Sequence, residues 1–172
     1  SSKDLDALAS QSNGAIQVIT GIDVTKTETM DKMCKETKEP IDMVINNAGY
    51  FYGPEEKIGV EGRGEHHLNF PQQLLQIDVC ALGPLRISSA LYRAGLLKRN
   101  GKPGKIIVIT SQAGSCEWRL TQNAVAPAGG NFVGNYGHHM SRAATNNMAV
   151  IMSQEMRPAG ICVQMLHPGF NR

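Results

Sequence analysis

No Cys-x-x-Cys pair occurs among the four cysteines, Cys34, Cys80, Cys116 and Cys162, which lie far apart. That spacing argues against a zinc site and against dithiol chemistry, and no metal ligand set is predicted. Cys80 and Cys162 sit in apolar runs and are expected as buried thiols, which suits an intracellular, reducing compartment, cytoplasm or organelle. An excess of one charge is missing too. Seventeen Lys and Arg against fifteen Asp and Glu leave a net charge of +2. That is too little to argue for nucleic acid or a membrane surface as partner. No uninterrupted apolar run approaches the roughly 20 residues of a membrane span. No signal peptide is visible, but the chain also opens without Met, so this absence excludes little.

What the sequence has is length and pattern. Its 172 residues suffice for one domain with a sizeable core, and 41% hydrophobic with 19% charged residues is an ordinary globular balance. Helix and strand signals alternate. "SKDLDALASQSNG" reads as a helix stopped at Gly14, and "AIQVITGIDV" as a β-branched strand over Ala15 to Thr20. In "TKTETMDKMCKETKEP", Thr25 is a candidate N-cap, Glu28 its capping-box partner and Pro40 the stop. "IDMVINNAG" is a second strand, Ile41 to Asn46. "PQQLLQIDVCALGPLRISSALYRAGLL" is a long helix with a kink predicted at Pro84. "LLKRNGKPGK" is a solvated connection. "GKIIVITS" and "ICVQMLHPG" supply strands at Lys105 to Thr110 and Ile161 to Leu166. Between them "HHMSRAATNNMAVIMSQEM" is helical, with Met148, Ile151 and Met152 expected in the core.

Near-continuous apolar strands alternating with helices predict an α/β fold, a doubly wound parallel sheet covered by helices on both faces. Ile41–Asn46 should neighbour Lys105–Thr110, which should neighbour Ile161–Leu166. Ligands in such folds lie beyond the carboxyl ends of the strands. Four polar or glycine-bearing clusters fall there: Asp23 to Thr25, Asn46 to Gly49, Ser111 to Ser115 and His167 to Phe170. Each alone is a common turn or cap; together they point to one crevice. Glycine lets backbone approach a ligand closely, and Asn offers a donor and an acceptor at once.

With "YGHHMSRAATN" at Tyr136 to Asn146, these motifs make the chain resemble the short-chain dehydrogenase/reductase family over nearly its whole length. The similarity is to its C-factor-like, carbonyl reductase-like branch, which carries "YGYRMSKAALN". The resemblance implies a Rossmann-like fold and NAD or NADP as cofactor. It implies that Asp23 and Val24 contact the adenine. Asn47, Ala48 and Gly49 would lie at its adenosine side, and Pro168 and Gly169 against the nicotinamide.

The family's catalytic residues are Ser, Tyr, Lys and Asn. Carried over, Ser111 matches the serine, while His138 stands for Tyr, Arg142 for Lys and Asp78 for Asn. Tyr136 lies six residues before Arg142, about 600° of helix, and so points elsewhere; it corresponds to an auxiliary tyrosine. Histidine is a competent acid or base near neutrality, and a His138 imidazolium would protonate a carbonyl as hydride arrives. Arg142 keeps a positive charge and can hold ribose, but its guanidinium does not deprotonate. A nearby Arg142 disfavours the His138 cation, whereas a close Asp78 would favour it.

Two functions are therefore open. One is an NAD(P)-dependent oxidoreductase for a small carbonyl or alcohol substrate, with an atypical Ser-His-Arg site. The other is a catalytically impaired pseudoenzyme that binds a nucleotide or serves as a structural subunit. The segment Cys116 to Asn135 is expected to line the substrate side. The family's "TGxxxGxG" is absent, so residues 1–172 are expected to form one partial domain, lacking the first two strands and the C-terminal end. Those strands would separate Ala15–Thr20 from Ile41–Asn46. A homodimer through Pro71–Leu97 and His138–Met156 is expected, or docking of the same helices in a larger complex.

Overall fold

The computed structural model describes residues 2–60, 67–99, 101–125 and 135–169. In chain order come α1 (Lys3–Gln11), α2 (Glu28–Glu36), β1 (Met43–Asn46), α3 (Phe70–Ile77), a π-turn (Asp78–Leu82) and α4 (Gly83–Arg93). A small hairpin follows, β2 (Lys98–Arg99) and β3 (Lys102–Pro103), then β4 (Lys105–Ile109), α5 (Cys116–Val125), α6 (Tyr136–Met156) and β5 (Cys162–Leu166).

The sheet that carries the site has the order β1-β4-β5. Both pairings are parallel, with Asn46 beside Val108 and Ile109 beside Leu166. These are the neighbours the sequence predicts. β4 is the central strand, and Ile106 and Val108 are fully buried. They pack with Leu91 of α4, Ala149, Met152 and Met156 of α6, and Leu97 and Ile161. β1 alternates: Val44 packs against the core and Asn46 is buried, whereas Met43 and Ile45 are exposed. The helical cover expected on both faces is thus not seen at β1 among the described residues.

Several local expectations are corrected. Ala15–Thr20 forms no strand. Its β-branched composition favours extended backbone, but a strand needs a ladder partner, and none lies beside it among the described residues. α2 starts at Glu28 after Thr27, with no side-chain cap. Thr25 turns back instead, its N–H and hydroxyl donating to Asp23 Oδ1 at 2.9 and 2.8 Å. Cys162 is exposed because β5 is an edge strand, and Ile151 is 54% exposed on the outer face of α6.

The bend near Pro84 is a π-turn. Gly83 N–H donates to Asp78 O, five residues back. Pro84 has no N–H to offer the Cys80 carbonyl. Thr145 of α6 supplies the donor, its hydroxyl reaching Cys80 O at 2.9 Å and Ser141 O at 2.7 Å. Phe70–Arg93 runs 24 residues with a mean hydropathy of 1.3 in its most apolar window, long and apolar enough for a bilayer by length and composition alone, yet 44% of that window is buried in the fold. Its Gln73 and Gln76 are buried beside α6, where a Cβ on Gly137 would collide with Gln76 Nε2.

Candidate active site

Beyond the carboxyl end of β4 the chain makes a single 3-10 turn, Gln112–Gly114, capped by Ser111. Ser111 Oγ accepts from Ala113 N–H at 3.1 Å, so its own proton remains available to a ligand. The turn lies directly on α6. An added Cβ on Gly114 would stand 2.5 Å from Arg142 O and 2.6 Å from Ala143 N, well inside van der Waals contact. Only glycine permits that approach. Two α6 side chains fix the turn further. His139 Nδ1 meets Ala113 O at 2.9 Å, and Asn146 bridges Thr110 Oγ1 at 2.6 Å and Ser111 O at 3.4 Å.

His138, Arg142 and Asn146 are four residues apart and share one face of α6. His138 stands in the first turn, edge-on to Phe51 at 5.2 Å between ring centroids and to His139 at 5.6 Å. Its Nδ1 is buried without a hydrogen-bond partner among the described residues. Burial, then the Arg142 charge, then His139 push its pKa down from 6.5 to about 4. His138 is therefore a neutral imidazole at physiological pH. The sequence left the imidazolium dependent on Asp78 standing close, and Arg142 is the charged group that acts on the ring here. Arg142 spans toward β1: Nη1 donates to Ile109 O at 3.4 Å, and Nη2 would lie 3.4 Å from a Cβ on Gly49. Its Nε is buried and has no hydrogen-bond partner among the described residues.

Ser111, His138, Arg142, Pro168 and Gly169 line one cavity of about 720 Å³, together with Phe51, Trp118 and Arg119. The structure does not bring Asp78 there. Its carboxylate pairs with Arg86 at 2.6 Å, and Arg86 also donates to Val24 O at 3.0 Å. Asp78 is thus engaged by a cation about two helical turns along the same helical run, not by His138. The π-turn side chain that reaches the strand-end loop is Cys80, two residues on. It is buried, and its thiol accepts from Tyr50 N–H at 3.5 Å and donates to Tyr50 O at 3.6 Å. Tyr136 opens α6 but does not line the cavity.

Asn47, Ala48 and Gly49 form an exposed strip after β1, joined to the cavity through Arg142. Two Thr25 hydrogen bonds hold the exposed Asp23 carboxyl below its usual range, and Val24 lies close against Gly83. A nucleotide reaching these stretches would meet an acceptor at Asp23, bare backbone at Asn47–Gly49 and a guanidinium at Arg142. The residues present fit such a group.

Several contributors are not named by the sequence motifs. Phe51, Trp118 and Arg119 come from segments without a fixed pattern. Asn146 had a signal, being one turn beyond Arg142 on the same face. Cys116–Asn135 contributes Trp118, Arg119 and Asn135 to the cavity, though much of it lies outside the described residues.

A family model described as short chain dehydrogenase matches residues 1–172. The C-signal of Myxococcus xanthus is 33% identical over 131 residues, 76% of this chain and 66% of that protein. The 1-hydroxy-2-glutathionyl-2-methyl-3-butene dehydrogenase of Rhodococcus sp. (strain AD45) is 29% identical over 157 residues, 90% of this chain and 58% of that protein. Among solved structures, the NADPH-bound carbonyl reductase from chicken fatty liver superposes with a TM-score of 0.71 at 22% identity, over 97% of this chain and 62% of that one. At that identity the likeness concerns the fold, a Rossmann-like α/β sheet. The chain spans less than two thirds of the length of each of these proteins.

Proposed function

The chain belongs to the short-chain dehydrogenase family, and from that premise we propose that it is an NAD(P)-dependent oxidoreductase reducing a small carbonyl substrate. The observation that carries the reading is the meeting of Ser111, His138 and Arg142 on one cavity wall with Pro168 and Gly169. Asp23, Val24, Asn47–Gly49, Arg142, Pro168 and Gly169 would hold the cofactor. When bound, its nicotinamide supplies a hydride to the carbonyl carbon.

The chain's own residues act on the oxygen. Ser111 donates its hydroxyl proton to the carbonyl oxygen as a hydrogen bond, because Ala113 N–H already fills one of its acceptor sites. His138 donates an N–H as a neutral imidazole. A neutral histidine at a helix start can polarise a carbonyl without being ionised. Arg142 places a permanent positive charge next to the developing alkoxide. The proton that completes the alcohol comes from water. The NADPH-bound state of the chicken liver carbonyl reductase supports the cofactor class, not the choice between NAD and NADP.

The test uses the complete protein with NADH and NADPH and a panel of aldehydes and ketones. Turnover is expected, and His138→Ala should lower it while leaving nucleotide affinity nearly intact. Nucleotide binding with no turnover, gained only in the double variant His138→Tyr with Arg142→Lys, would make the protein a nucleotide-binding pseudoenzyme instead.

A further inference from the structure

We propose that Gln76 is a positioning residue of the site: by tethering the backbone next to Phe51, it holds the Phe51 ring against His138. This rests on the reading that His138 acts on the substrate carbonyl.

Phe51 is 53% exposed, so burial does little to fix it. Its ring nevertheless meets His138 edge-on, with 5.2 Å between centroids. The restraints lie on either side of it. Tyr50 N–H donates to Cys80 Sγ at 3.5 Å, and the Tyr50 hydroxyl donates to Gln72 Oε1 at 2.7 Å. Tyr52 N–H donates to Gln76 Oε1 at 3.4 Å. Further along, Asn69 Nδ2 donates to the Tyr52 hydroxyl at 3.0 Å. The buried Glu56 carboxylate accepts from Asn69 N–H at 2.7 Å and from Gln73 Nε2 at 3.0 Å. Residues 50–56 are laced to α3 and the π-turn in this way.

Gln76 differs from the other members of this set in reaching both sides of the Phe51–His138 contact. It is 1% exposed. Its Oε1 holds the residue after Phe51, and its Nε2 occupies the space that a Cβ on Gly137, the residue before His138, would take. Without Gln76 Oε1, Tyr52 N–H loses this acceptor, and an unmade hydrogen bond of this kind drives a loop to rearrange. Gln76, Tyr52, Phe51 and His138 line a small void with no room for a water molecule. The charged and titratable groups around the ring are Arg142 and His139 on α6, Glu56 of the loop, Arg119 of α5 and His167 beyond β5. Burial outranks them all in keeping His138 neutral, ahead of Arg142 and His139. Loss of the Phe51 contact therefore acts on the leading cause.

His138 is titrated by NMR in the complete protein, alongside the pH dependence of kcat/KM with reduced nicotinamide cofactor and the best ketone of the panel. Gln76→Met keeps the length of the side chain and removes the acceptor. It should raise the His138 midpoint from about 4 to roughly 5.5, part of the way to the unperturbed 6.5. The ratio of kcat/KM at pH 5 to that at pH 7.5 should then fall roughly four-fold. Phe51→Leu should do the same, and the double variant should shift the midpoint no further than Phe51→Leu alone. Ile106→Val, which loosens the core away from this contact, should lower Tm and leave the midpoint in place. Tyr52 N–H exchange in the wild-type protein needs no variant and should be slow. An unmoved midpoint in Gln76→Met or Phe51→Leu, additive shifts in the double variant, an equal shift in Ile106→Val, or Tyr52 exchange at an open-loop rate each overturns the proposal. If the titrations behave as expected and no ketone is reduced, the positioning of His138 stands and the hydride-transfer reading falls.

Discussion

Gly114→Ala is the sharpest perturbation of the site. The new methyl would sit 2.5 Å from Arg142 O and 2.6 Å from Ala143 N, against an ordinary contact of 3.4 Å or more. The obstruction is helix backbone, which cannot swing aside as a side chain can. The Ser111 turn must therefore lift off α6 by roughly 0.9 Å, or α6 must give way. Overpacking of this kind costs about 1–3 kcal/mol, and the rigid partner places this case at the upper end. For a chain of this size that is a fall in Tm of about 6–12 °C. The same displacement separates Ser111 from His138 and Arg142, and a misplacement near 1 Å costs about 100-fold in turnover. Thermal unfolding and steady-state kinetics read the two effects. Gly59→Ala is the control: a Cβ there meets open space and its backbone is not left-handed, so a change within about 2 °C is expected. Wild-type Tm and turnover in Gly114→Ala would refute the contact between the serine turn and α6.

Folding holds His138 down near 4, while an unfolded histidine titrates near 6.5. The fold therefore has its full stability above pH 6.5 and loses part of it as pH falls from about 6.5 toward 4. For a partly exposed ring the loss, discounted for solvent screening, is about 1–2 kcal/mol. His138→Gln should flatten that segment of a Tm-against-pH curve, and an unchanged slope would contradict the assignment. The exposed Leu74, Leu85, Val150 and Ile151 on α3, α4 and α6 suit a two-fold contact. Sedimentation of the complete protein should show a dimer that Ile151→Glu dissociates; a monomer before substitution removes this expectation.

Much of this fold is legible in the sequence because parallel strands buried on both sides read as apolar runs. Ile106 to Ile109 were found on that basis; Val44 to Asn46, where Ile45 is exposed, was found from its apolar composition, and the neighbours came in the right order. Ala15–Thr20 misleads for the same reason: composition records what a residue tolerates, not whether a partner strand is there. The ends of the strands were legible because glycine and small polar residues accumulate where backbone must approach something. Asp78 was not, since a π-turn adds a residue to the helical spacing and turns Cys80, not Asp78, toward Tyr50. The protonation state of His138 was open in one dimension. It depended on whether Arg142 or Asp78 stood beside the ring, and Arg86 settles that by engaging Asp78. Phe51 and Arg119 belong to segments whose geometry only tertiary packing decides.

The pH dependence of kcat/KM in the complete protein tests the neutral-histidine site most directly. Neutral His138 as the working form predicts a profile level through neutrality that falls only as pH drops toward about 4. A rate that instead declines as pH rises through about 6.5, and loses that decline in His138→Gln, would show an imidazolium acid at work and contradict it.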